Sequence, residues 1–328
     1  MGCAPRVEGE VRLFSTVDQE VSAPILSAFH RAEDKLVQPG ATFSTADVDR
    51  DQLIDRLHRN GPETASDVLW TDDILLMVEL DRLGALQPRA WKVAEDFPSD
   101  MKSDDGTWCG FAAIARVLMV NTDTLPAEED HPKSVDELAA PKWSQRCAIA
   151  RPLLGTAAIH AAVIAQRKGA EAGYRWFKTV AANALVLPSN SAVASAVAAG
   201  RVDWGLTDSN YAVAHRDRSE SIAIVFPDQD TAGPGTLRIP NAAAVLVGAP
   251  HPIAAARLAD YLVDPATEDR LAMSDAAHIP LSRQSTHRPR VLSDTPVRWA
   301  SADFNAAFDA WNELEPRLQE LFASPEGG

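Results

Sequence analysis

Tyrosine and cysteine are scarce in this chain: three of each in 328 residues. The cysteines, Cys3, Cys109 and Cys147, show no C-x-x-C spacing, which excludes a cysteine metal knuckle, while a Cys109–Cys147 pairing stays open. No apolar run reaches the length of about 18 residues that a membrane-spanning helix needs. Basic charge is also short, with 31 Lys and Arg against 46 Asp and Glu and a net charge of -15. That balance argues against sequence-independent nucleic-acid binding and against docking on anionic lipid. It leaves a small anionic ligand open, because the local field of a pocket can oppose the net charge. Enzyme signatures are absent too: there is no G-x-S-x-G, H-E-x-x-H, G-x-x-x-x-G-K-[ST] or G-x-G-x-x-G. Ser99-Asp100-Met101-Lys102 matches S-x-x-K but lacks its S-D-N and K-T-G companions and lies in a polar loop. The eight histidines show no ligand spacing, and His160, on an apolar helix, reads as a core residue.

What is present is the composition of a globular protein, 46% hydrophobic and 23% charged, with length for two domains. Strand, polar loop and helix alternate. Val11–Ser15 reads as a buried strand, followed by an amphipathic helix over Pro24–Asp34. Leu36–Val37 reads as a strand, Asp51–His58 as a helix, Asp67–Trp70 as a strand and Ile74–Leu83 as a helix ended by Gly84. Strands at Val117–Asn121, Cys147–Ala150, Trp204–Leu206 and Ile222–Phe226 interleave with helices at Ala157–Arg167, Tyr174–Ala181 and Ala192–Ala199. Ala242–Val247 follows as a strand, and helices at Pro252–Leu262, Ala266–Met273 and Ala302–Phe322 end the chain. This grammar predicts an α/β protein with mostly parallel sheets flanked by helices.

The stretch Gly110–Asn121 reads as the first crossing between two lobes, and the loop Asp228–Pro240 as the return. Arg116 sits among apolar residues at the mouth of a strand, a position that calls for a carboxylate partner or an anionic ligand. Polar loops of small residues recur where strands end and helices begin. They are Ser15-Thr16-Val17-Asp18, Trp70-Thr71-Asp72, Gly155-Thr156-Ala157, Ser189-Asn190-Ser191 and Thr207-Asp208-Ser209-Asn210. That edge is where open α/β sheets bind ligands, and free N–H groups there favour anions. Each loop also has a plainer use as a helix cap.

In ordered series, Val11–Phe29, Ala65–Leu86, Asp105–Leu125, Ser134–Trp143, Pro152–Ala162, Ser189–Ser209, Thr236–Pro252 and Tyr261–Ala272 resemble periplasmic solute-binding proteins of bacterial ABC importers. The resemblance is to the group that includes the ferric-iron-binding proteins. It implies a two-lobed, type II periplasmic-binding-protein fold that closes on its ligand by a hinge. The expected division is a lead-in at 1–9, lobe 1 at 10–110 plus 236–280, lobe 2 at 111–235, and C-terminal helices at 281–328 packed on one lobe. It further implies a monomer without enzyme activity, an ABC permease as partner, and Fe(III) with a small anion as ligand and no organic cofactor. Ligand-binding positions would be Thr16, Asp18, Trp70, Asp72, Arg116, Gly155, Thr156, Ala157, Asn190, Asp208 and Tyr211, with Asp18, Asp72 and Tyr211 on the metal. The chain departs from the group at Tyr211, which is single where iron binders carry adjacent tyrosines. Tyr174 and Tyr261 read as helix-face packing residues. A small oxyanion such as a phosphonate, held by Arg116, is the alternative ligand, and a ligand-sensing role the alternative use of the fold. Met1-Gly2-Cys3 resembles the end of a lipobox, which implies a periplasmic or extracytoplasmic lipoprotein anchored through Cys3, its sole link to a membrane.

Overall fold

A computed structural model describes residues 11–33, 44–45, 66–92, 94–218 and 221–323. Cys3, the strand expected at Leu36–Val37 and the helix expected at Asp51–His58 lie outside these residues. The chain divides into two compact units. Unit 1 comprises Met1–Ala113, Pro240–Ser274 and Ile279–His287; unit 2 comprises Ile114–Ile239, Asp275–His278 and Arg288–Gly328. The crossings thus fall after Ala113 and Ile239, three and four residues later than the sequence suggests. The C-terminal stretch belongs mostly to unit 2, with a short return to unit 1 at Ile279–His287.

In unit 1, β1 (Arg12–Ser15) pairs in parallel with β2 (Ser44–Thr45) and β3 (Val68–Thr71). The end of β9 (Thr236–Val245) closes the far side of β3 in antiparallel register, Trp70 opposite Ala243. Leu13, Phe14, Leu69 and Trp70 are all but sealed from solvent, as expected of strands covered on both faces. Helices α1 (Gln19–Glu33) and α2 (Ile74–Arg82) follow β1 and β3. The first begins ahead of Pro24, where the pattern alone starts it, because the Asp18 carbonyl accepts from the amides of Val21 and Ser22. Asp73 caps the second, accepting from the amides of Leu75 and Leu76 at 3.1 Å. Helices α7 (Pro252–Leu262) and α8 (Pro265–Met273), numbered in chain order, also belong to this unit.

Unit 2 is built on the second half of β4 (Trp108–Asn121), a strand of 14 buried residues. It pairs antiparallel with β7 (Trp204–Asp208) and β8 (Ile222–Val225), and β7 continues in parallel to β5 (Cys147–Ala150) and β6 (Leu185–Leu187). Helices α3 (Gly155–Lys168), α4 (Ala170–Asn183), α5 (Asn190–Ala198) and α6 (Ser209–Arg216) connect these strands. The last helix, α9 (Phe304–Phe322), packs on α3 and α4 through a face that includes Trp311, Leu314 and Leu318. A short strand, β10 (Trp299–Ala300), pairs in parallel with the start of β9. Cys109 and Cys147 are both free and buried, in different units, so the pairing left open by the sequence is not made. Burial pushes both thiols up to about 12.

The last unit-1 residues of β4 are held firmly. Ala112 takes a left-handed φ of 41°, unusual for a residue with a side chain. Its N–H donates to Glu268 at 2.7 Å and its carbonyl accepts from Asn241 at 2.6 Å. Glu268, with no exposed surface, also accepts from the amides of Leu281 and Ser282. Burial raises its pKa, against the pull of these three N–H donors.

Candidate functional site

The C-terminal ends of β1 and β3 form the loop edge of unit 1. There Thr16 Oγ1 and Thr71 Oγ1 lie 2.6 Å apart, and Thr16 donates to Asp72 Oδ1 at 3.0 Å. The Asp73 amide donates to Thr71 Oγ1 at 2.9 Å within its own loop, and the Thr16 hydroxyl joins the two loops. Asp18 is exposed at the head of α1, and Asp72 is half-buried. Trp70 stands apart from its neighbours in the proposed ligand set. It has no exposed surface, packs 5.8 Å from Phe111, and donates its indole N–H to Asn241 at 3.1 Å. Because β3 is covered on both faces, this ring is enclosed whichever way it points, so it supports the edge and offers nothing to a ligand.

The corresponding edge of unit 2 carries a buried polar network. Arg116, 1% exposed, lies opposite Asp208 in the β4–β7 register and donates Nη1 to its Oδ1 at 2.5 Å. The same Nη1 lies 3.3 Å from Thr156 Oγ1 and 3.0 Å from Asn190 Oδ1. Thr156 donates to Asp208 Oδ2 at 2.7 Å, and the Asn190 amide donates to both Thr156 Oγ1 and Asp208 Oδ2. Arg116 Nε donates to His160 Nδ1 at 3.4 Å. Burial, then the charges of Arg116 and Arg167, hold the His160 pKa well below the usual imidazole range, which keeps that nitrogen an acceptor. The pairing matters because a buried guanidinium is costly unless a carboxylate and further hydrogen bonds satisfy it.

This geometry revises several expectations. Arg116 and Asp208 neutralise each other, so neither acts as a free charge toward a ligand. Thr156 and Asn190 spend their side-chain groups on the same network. These four residues tie β4 and the end of β7 to the first turns of α3 and α5. What remains presented at this edge is backbone and its flanks. Gly155 is exposed at a φ of 57°, and a Cβ added there would meet nothing within 4 Å. Ala157 is 5% exposed behind it. Tyr211, half-buried, stands in the first turn of α6, directly after the end of β7. Among the described residues no group of three His, Cys, Asp or Glu converges as a metal holder. The oxygen donors Asp18 and Asp72 belong to unit 1 and Tyr211 to unit 2.

The sequence profile of the bacterial extracellular solute-binding proteins matches residues 76–306, most of the chain. The chain belongs to that family. Iron uptake protein A1 of Synechocystis is 25% identical to this solute-binding protein over 307 residues, spanning 89% of this chain and 82% of that one. A Trichodesmium protein solved in complex with iron and citrate superposes with a TM-score of 0.79 at 21% identity, covering 96% of this chain and 99% of the other. An iron-bound protein from Pseudomonas aeruginosa superposes at 0.77 with 22% identity, covering 94% and 99%. At such identities the superpositions establish the fold, a type II periplasmic-binding-protein fold. The sequence reading missed His160 as the acceptor for Arg116.

Proposed function

We propose that this solute-binding protein captures ferric iron outside the cytoplasm and delivers it to an ABC permease. The candidate donors are Asp18 and Asp72 in unit 1 and Tyr211 in unit 2, and the amides of Gly155–Ala157 in unit 2 are the candidate seat of a small anion. Fe(III) is a hard cation that favours oxygen ligands, and this donor set is all oxygen. The observation that carries the choice over a bare oxyanion is the Arg116–Asp208 pair, 2.5 Å long and buried. An oxyanion held mainly by Arg116 would have to compete with that carboxylate. The curated relative named for iron uptake, aligned over most of both chains, supports the same reading. The protein works as a monomer, without catalysis, tethered through a lipid on Cys3.

Native mass spectrometry with metal analysis, on protein purified without added ligand and then desalted, tests the reading. One iron per chain after exposure to ferric citrate is the expected result. Complete loss of iron on desalting, at any anion concentration, would overturn it.

A further inference from the structure

The charge balance of the unit 2 edge comes down to one residue. Arg116 is cancelled by Asp208, and the loops at 151–154 and 188–191 contain no acidic residue. Arg151 leads the first of these loops. Its amide donates to the Leu187 carbonyl, which continues the β5–β6 ladder and fixes the residue at the same edge as Gly155. The side chain is half-buried, its Nε is sealed from water without a hydrogen-bond partner, and no ion pair is formed with any described residue.

Four residues on, α3 opens without a side-chain cap: its N-cap is Leu154, whose side chain can accept nothing. The first N–H groups of this 14-residue helix are thus left to a ligand or to water. A second group points to the same place. Arg116 Nη1 touches Thr156 in that first turn, and Arg116 Nη2, on a side chain 1% exposed, has no hydrogen-bond partner. A buried guanidinium nitrogen left unsatisfied beside an uncapped helix start is a donor waiting for an acceptor.

We propose that Arg151 is the charge-selecting residue of this edge, so that the anion held at the start of α3 is one with two or more negative charges. The inference rests on the anion seat of the proposed function and adds its specificity. The helix terminus supplies roughly half a positive charge. With Arg116 neutralised, a univalent anion would be adequately balanced by the helix and its amides. Arg151 raises the local charge to about one and a half, which favours a divalent or more highly charged oxyanion over a univalent one of similar size.

The test uses the metal-free full chain and two ions of fixed charge, sulfate and nitrate, titrated calorimetrically at constant ionic strength. Sulfate should bind about tenfold or more tightly than nitrate. Arg151→Gln should erase the difference by weakening sulfate while nitrate changes little, and Arg151→Lys should restore it. Since the Arg151 side chain has no partner among the described residues, an unchanged melting temperature is expected for both variants. A sulfate preference that survives Arg151→Gln, or no binding of either ion, would overturn the proposal. Iron retention from ferric nitrilotriacetate, followed in parallel, separates the two readings. Selective sulfate binding without iron retention sinks the metal reading and leaves Arg151 its role, and the converse pattern does the opposite.

Discussion

The two loop edges use the same residue type in opposite ways. In unit 1, Asp18 lies exposed and Asp72 accepts from a neighbouring hydroxyl, so carboxylate charge is presented at the surface of the edge. In unit 2, Asp208 is 4% exposed and spent on Arg116, Thr156 and Asn190. One edge is acidic; the other is internally neutral and carries the spare cation Arg151. A carboxylate at the end of a strand therefore says little until its partner is known. Under the proposed function, carboxylate donors come from the first edge, and Tyr211 and an anion seat from the second.

The comparison is broken most severely at Asp208. Asp208→Ala strands a buried guanidinium and should destabilise the protein by about 3–5 kcal/mol, against about 1 kcal/mol or less for Asp72→Ala. Urea unfolding of the two variants measures the contrast, and equal losses would mean that the unit 2 network is not structural.

Acid should also act on unit 2. His278 is buried with its pKa pushed down to about 4, and His160 is shifted in the same direction, so both bind fewer protons folded than unfolded below the ordinary imidazole pKa. Their contribution is complete above pH ~6.5 and is lost as pH falls toward the folded values, about 3 kcal/mol for His278 alone by pH ~4. Melting followed from pH 7.5 to 4.5 should show this decline, and it should be shallower in a His278→Gln variant.

A smaller effect is expected at Thr156. Thr156→Val keeps the shape but removes a hydroxyl that donates to Asp208 and accepts from Asn190, at a cost of about 1–3 kcal/mol. Least of all in stability should be Asp18→Asn, within about 0.5 kcal/mol, because the side chain is exposed. Its consequence belongs to the ligand instead: iron should transfer faster to a competing chelator than from the wild type.

Much of this was legible before any coordinates. The alternation of strand, loop and helix marks most described elements, because apolar strand runs and Gly or Asx punctuation are local signals. Arg116 announced a need for a partner by sitting among apolar residues. What the sequence could not tell is which partner met it, since Asp208 lies 92 residues away and joins through strand register. Trp70 misled for a related reason. Its position next to a polar loop suggested a ligand-binding residue, yet β3 is covered on both faces and the ring packs on Phe111 and donates to Asn241. Glu268 gave no sign of gripping Ala112, because a left-handed alanine has no signature in composition or spacing.

Visible absorption on adding ferric citrate tests whether iron is held through Tyr211, as proposed. A phenol with an ordinary pKa near 10 becomes a ligand when a trivalent cation ionises it, which gives a tyrosinate-to-iron band. The wild type should be coloured and its band should disappear in Tyr211→Phe, while Arg151→Gln should retain it with altered anion dependence. A band of undiminished strength in Tyr211→Phe, or a colourless wild type that still retains iron, would contradict it.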